Sequence, residues 1–400
     1  MYENLAILAL FAVIFSAVAG KVERGTVTGP TIFVLFGLAA GPIGIGLLDL
    51  DINNQELRVI ADLTLALILF IDAANANLGV LAAHAKIPRR MLLLGLPLCI
   101  ALGTLCGVVI FPGLGFYELC VLATMLAATD AAMGKAVVTN KDVPERIREG
   151  LNAESGLNDG LCVPILFVFL ALAAGSTGED GGTILALKLV AREIGIGLIV
   201  GLGVTMFAAK LLSACFDRGW VTDIWRQIPV VVLAFACFAT AQSLHGSGYI
   251  AAFVGGLLFG HLAKSSTHGL VLAAEGTGEL LAMVTWIIFG AAVIGQSWYH
   301  MPWSVVLYSL LSLTVIRMIP MVLSLTGTGE KMSSKMFLAW FGPRGLASIV
   351  FAIIVANENL EHESVLLNTV VCTVTLSVIA HGLNANPLSK AFARKLKMQT

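Results

Sequence analysis

Residues 122–140 read LATMLAATDAAMGKAVVTN, and residues 335–355 read KMFLAWFGPRGLASIVFAIIV. Each is an apolar run of about 20 residues, the length that crosses a hydrocarbon core of about 30 Å. Each is also interrupted near its centre. Thr129 and Asp130 favour leaving one helix and capping the next. The first run therefore reads as a half-helix to about Ala128, an extended link, and a second half-helix from about Ala131. Gly342-Pro343-Arg344-Gly345 cannot continue a helix without losing a backbone hydrogen bond, so the second run reads as broken there. Non-helical backbone at membrane depth is tolerated only where protein or a cavity surrounds it. The charges suit the breaks: Asp130 can neutralise a positive helix N-terminus, and Arg344 the carbonyl ends of half-helices.

The rest of the chain is of the same kind. Of its 400 residues 58% are hydrophobic and only 12% charged, about half the charged share of a soluble domain. Mean hydropathy is +0.91. Too few charged groups exist to cover a water-facing surface, so the fold class is an all-α polytopic membrane protein. The balance of 24 Lys and Arg against 25 Asp and Glu gives no sign of a nucleic-acid partner; membrane lipid is the surrounding medium. The 41 glycines fit helices that pack closely or break.

Thirteen stretches have the length and composition of transmembrane helices, at about 4–20, 30–48, 59–77, 91–111, 118–139, 150–174, 184–211, 228–244, 248–263, 278–296, 303–325, 335–356 and 364–385. Residues 4–20 follow no basic n-region and read as a retained helix, not a leader. With this count, alternate loops collect most of the basic residues on one side, which places the N-terminus outside and the C-terminus in the cytoplasm. The two interrupted spans, five and twelve, are seven apart and so cross in opposite directions. Spans 1–6 and 8–13 then form two inverted six-helix repeats whose broken helices cross, the arrangement that marks the binding site of a secondary transporter.

Charges inside spans are costly and point to function. Asp62 and Asp72 fall in span three, Asp130 in span five, Glu154 and Asp159 in span six, Arg317 in span eleven and Arg344 in span twelve. Span six reads GLNAESGLNDGLCVPILFVFLALA from Gly150. Ser155, Asn158 and Asp159 share one face at i, i+3 and i+4. Glu154 is turned about 140° from Asp159 and should look elsewhere, toward Arg317 as a structural ion pair. Asp159 has no base near it in sequence, so it suits a proton or a metal ion.

Thr129-Asp130, Glu154-Ser155 with Asn158-Asp159, and Gly342-Pro343-Arg344-Gly345 together resemble the monovalent cation:proton antiporters of the NhaP/NHE type, over essentially the whole chain. The resemblance implies a homodimer in the plasma (inner) membrane. It implies an ion-binding core of about 91–174 and 303–385, which moves against a dimerisation part of about 4–77 and 184–296; residues 386–400 form a short cytoplasmic tail. It implies Asp159 as the alternating carrier of Na⁺, Li⁺ or K⁺ and of H⁺. Ser155, Thr129 and Asp72 would be further ligands, and no cofactor is needed. Asn158 marks the Asn-Asp branch, as against the Asp-Asp branch of electrogenic relatives. Two positions depart from the family pattern: Ala131 stands where a proline usually follows Thr-Asp, and Asp72 where a Glu is usual.

With a single carboxylate on the polar face of span six, exchange should be electroneutral, one cation for one proton. The rival functions are a cation channel and, further off, an intramembrane hydrolase built on His245-Gly246-Ser247-Gly248, which reads more simply as a turn between spans eight and nine. Activity surviving Asp159→Asn would revive both. The seven cysteines, without a CxxC, read as small buried hydrophobes. The seven histidines form no metal set; His261 and His381 lie near the ends of apolar runs and read as surface groups.

Overall fold

The computed structural model describes the chain except residues 1, 49–54, 77–85, 139, 141–142, 176–181, 223, 264–266, 295–300, 359 and 398–400. Among the described residues the regular structure is helical and no strand occurs. In chain order the helices are α1 (Tyr2–Arg24), α2 (Gly29–Ala40), α3 (Gln55–Asn75), α4 (Lys86–Ile110, with a π turn at Met91–Gly95), α5 (Phe116–Met125), α6 (Ala131–Val138), α7 (Glu145–Gly175) and α8 (Gly182–Asp217). They continue with α9 (Pro229–Ser243), α10 (Gly248–Ala263), α11 (Thr267–Ile288, ending in a π turn at Phe289–Ile294), α12 (Trp303–Leu313), α13 (Val315–Ser324), α14 (Met332–Trp340), α15 (Leu346–Val355) and α16 (Glu363–Lys397). Seven of the described helical segments are long and apolar enough to cross a membrane: α1, α4, α7, α8, α11, the α12–α13 pair and α16. The helices α2, α5, α9, α10 and α15 are shorter and apolar.

Several boundaries differ from the sequence expectation, each for a local reason. The second apolar stretch is helical only to Ala40. Gly41 and Pro42 stop it, because proline cannot donate the next helical bond, and Gly46 takes a left-handed φ of +66°. The last helix does not end near residue 385. It continues through Pro387 to Lys397, and the Phe392 ring stacks on Phe337 at 4.1 Å, so residues 386–397 belong to a packed helix and not to a free tail.

The chain divides into two units by its internal contacts. The first holds residues up to Arg58, His84–Ser155 and Ala282 onward. Its apolar core includes Met91, Ile147, Leu338 and Phe392. Inside it, α2 and the π turn of α11 approach to backbone contact: a Cβ at Gly37 would overlap the Ile287 carbonyl, and one at Gly290 the Val34 carbonyl. The second unit holds Val59–Ala83 and Gly156–Leu281. There α10 uses Gly256 and Gly260 to meet the backbone of α3 at Phe70 and Ala74, and α8 uses Gly197 and Gly201 to meet Ser247 and Ala251. Both glycine pairs have the four-residue spacing that lets membrane helices touch where side chains would hold them apart.

Candidate functional site

Span five breaks where its sequence leaves the helical register. Helix α5 ends at Met125, Leu126 and Ala127 turn, Ala128–Asp130 are irregular, and α6 starts at Ala131. Span twelve breaks likewise between α14, ending at Trp340, and α15, starting at Leu346. The two links touch. Asp130 N–H donates to the Pro343 carbonyl at 2.8 Å. The Asp130 carboxylate then serves two helix N-termini at once. Its Oδ1 accepts from Met133 N at 2.9 Å, capping α6, and its Oδ2 accepts from Leu346 N at 3.0 Å, capping α15. Arg344 does the opposite for the carbonyl ends. Its Nη1 lies 3.4 Å from Ala127 O, 3.3 Å from Ala128 O and 3.2 Å from Gly342 O. Ser348 adds a bond from its hydroxyl to Met125 O at 2.8 Å. Asp130 and Arg344 are 6% and 1% exposed, so charge and dipole meet with little water to screen them.

The crossing is too tight for side chains at two of its glycines. A Cβ on Gly345 would overlap the Asp130 carboxylate, and one on Gly342 would overlap the Arg317 guanidinium. Arg317, on α13, lies beneath the second break and donates from Nη1 to Glu154 Oε1 at 2.8 Å; both residues are buried. Ser155, next along α7, lines a small cavity with Gly134, Val137 and Phe341, with room for about one water molecule.

The first unit thus brings together Thr129, Asp130 and Arg344 at the crossing, and Glu154 with Arg317 against it. Asn158, Asp159 and Asp72 belong to the second unit. On α7, Asp159 follows Ser155 by four residues and shares its face, while Asn158 Oδ1 accepts from Cys162 Sγ at 3.3 Å. Asn158 and Asp159 are buried. Asp72 of α3 packs at Gly156, where an added Cβ would lie 3.4 Å from the Asp72 Cβ. Asp62 receives the Tyr249 hydroxyl at 2.8 Å and anchors α10 to α3.

Sequence reasoning missed three groups here. His381 is not a surface group: it is 1% exposed, and its Nε2 lies 3.0 Å from Trp340 O. Nor does the sequence mark Ser377 or Ser348 as site residues. The available signal was a serine and a histidine at i, i+4 inside an apolar helix. The His245–Ser247 segment is a turn that leads into α10 at Gly248, with His245 at φ 56° and Ser247 Oγ accepting from Ile250 N at 3.4 Å as the cap of α10.

The family model described as sodium/hydrogen exchanger, transmembrane, matches residues 7–391. The chain belongs to the sodium/hydrogen exchanger family. This exchanger is similar to the K(+)/H(+) antiporter NhaP of Alkalimonas amylolytica, with 22% identity over 99% of this chain and 67% of that protein. It is 25% identical to the Na(+)/H(+) antiporter NhaH of Halobacillus dabanensis, over 67% of each. It spans 35% of the probable Na(+)/H(+) antiporter of Schizosaccharomyces pombe, so its curated relatives extend well beyond the matched part. Its fold is that of the sodium proton antiporter MjNhaP1 from Methanocaldococcus jannaschii, with a TM-score of 0.76 at 19% identity over 95% of this chain and 98% of that one. The family is one of integral, multi-pass membrane transporters, and the exchanger is a secondary transporter and not an enzyme.

Proposed function

We propose that this exchanger swaps a monovalent cation, Na⁺, K⁺ or Li⁺, for a proton across the plasma membrane, with Asp159 binding either ion in competition. The observation that carries the reading is the crossing of two broken helices with exchanged caps, Asp130 on two N-termini and Arg344 on two C-terminal ends. Such a crossing holds irregular backbone at membrane depth, where a transporter's ion site is built. Family membership and relatives named for Na⁺/H⁺ and K⁺/H⁺ antiport agree with it.

In this mechanism Asp159 is the titrating carboxylate on the polar face of α7. Ser155 and Thr129 offer oxygen ligands, and Asp72, which packs at Gly156, offers another. Glu154 takes no part in the exchange, because it is paired with Arg317. Asn158 cannot carry charge, so one cation exchanges for one proton and no net charge moves. The chain crosses thirteen times as two inverted repeats, N-terminus outside, and works as a homodimer. A core of about 91–174 and 303–385 moves against the dimerisation part, so that the site opens to each side in turn.

Proteoliposomes holding the purified protein, energised by Na⁺, K⁺ or Li⁺ gradients in turn, test the reading. Cation-driven proton flux is expected from the wild type with at least one of the three, and none above background from Asp159→Asn. Exchange that persists in Asp159→Asn would remove Asp159 from the mechanism.

A further inference from the structure

A broken helix leaves backbone groups that must find partners elsewhere. In the second break Pro343 O takes Asp130 N–H, Gly342 O takes the Arg344 guanidinium, and Leu346 N–H goes to Asp130. Two groups that bracket the break, the Trp340 carbonyl and the Arg344 N–H, are both met by α16. His381 Nε2 lies 3.0 Å from Trp340 O, which also takes Gly342 N–H, and Ser377 Oγ accepts from Arg344 N at 2.7 Å. Ser377 and His381 are four residues apart, one turn of the same helix face, and both are buried.

The direction of the bonds follows from chemistry. A carbonyl only accepts, so His381 Nε2 carries the proton. In the neutral ring Nδ1 is then an acceptor. It lies 3.3 Å from the Ser377 hydroxyl and 3.3 Å from the Ser377 carbonyl, and only the hydroxyl can donate to it. The bonds run one way, from Arg344 N–H to Ser377 Oγ, from Ser377 O–H to His381 Nδ1, and from His381 Nε2–H to Trp340 C=O. The Trp340 ring packs on the imidazole at 5.1 Å. The next residues along α16 are pinned to the start of α2: Thr28 N–H donates to Gly382 O at 3.2 Å, and the Thr31 hydroxyl to Val378 O at 3.3 Å.

We propose that Ser377 and His381 are positioning residues, a one-way hydrogen-bond relay that spans the second break and sets the place of Arg344. Arg344 reaches Ala127 and Ala128, the residues just before Thr129-Asp130, so the relay sets the first break as well. It goes beyond the proposed exchange, although a transport readout of it rests on that reading.

Two replacements at one position separate the relay from simple packing. His381→Phe keeps a ring against Trp340 and removes both nitrogens, whereas His381→Gln loses the ring and keeps a donor for Trp340 O. In proteoliposomes His381→Phe and Ser377→Ala are each expected to slow exchange about tenfold, the effect of one buried group left without its partner. His381→Gln is expected to stay within about threefold of wild type, and the Ser377→Ala/His381→Phe double variant to be no slower than His381→Phe, because both break one relay. Wild-type rates in His381→Phe, a His381→Gln slower than His381→Phe, or losses that multiply in the double variant would each overturn the proposal. If His381→Phe does not fold, Ser377→Ala against Ser377→Thr decides: the relay requires the alanine slow and the threonine near wild type. If the wild type shows no exchange, the proposed function fails by itself. The same double-mutant cycle read in melting temperature then tests the relay, with additive shifts refuting it.

Discussion

At the scale of residues, the proposed mechanism turns on which carboxylate is held and which can exchange its partner. Glu154 and Asp159 sit five positions apart on one helix and point to different faces. The ion pair of Glu154 with Arg317 at 2.8 Å is buried. Removing one partner leaves an uncompensated charge and costs about 3–5 kcal/mol. Glu154→Ala is therefore expected to lower the melting temperature sharply, and Glu154→Ala/Arg317→Met to recover most of it. A double variant less stable than Glu154→Ala would show that Arg317 is held by something other than Glu154. That Glu154 turns away from Asp159 was legible from helical angle, and Arg317 was legible as a basic residue inside a span that needs a partner. His381 was not, because an apolar run tells where a helix lies in the membrane and not which neighbour a side chain near its end will meet. Only the folded chain puts the Trp340 carbonyl in front of its ring.

At the scale of elements, the two breaks form one structure. Each half-helix end lacks partners for its terminal backbone groups, and the neutralising charge comes from one residue in each link. A partly buried end gains up to about 2 kcal/mol from such a charge. Asp130→Ala uncaps two N-termini, so its melting temperature is expected to fall further than that of Ser348→Ala, which removes one hydrogen bond. Equal melting temperatures for the two variants would refute the shared cap. Gly345→Ala is expected to be as harmful as Asp130→Ala, since its Cβ would occupy the carboxylate position. The positions of both breaks could be read from Thr129-Asp130 and Gly342–Gly345, because glycine, proline and capping residues act locally. That one carboxylate caps both α6 and α15 could not be read. Neither could the extent of α16, where the apolar stretch stops near residue 385 but the Phe337 ring gives Phe392 a packing partner.

At the scale of the molecule, the proposed mechanism limits what can be transported together. One carboxylate holds one cation or one proton, so the equilibrium cation ratio reached in liposomes should not change between zero and about −100 mV of membrane potential. A voltage-dependent ratio would mean a second titrating group, with Asp72 the first candidate. The rate should be bell-shaped in pH, because acid protonates Asp159 and excludes the cation, while alkali starves the return step of protons.

Competition at Asp159 is the central claim, and the acid limb of the pH profile tests it most directly. Proton flux in liposomes is measured against pH at two cation concentrations a factor of ten apart, both above half-saturation. If one cation and one proton contend for the same carboxylate, tenfold more cation moves the midpoint of the acid limb about one unit to lower pH. An acid limb that stays in place would show that the proton and the cation bind to different groups, and the mechanism built on Asp159 would be wrong.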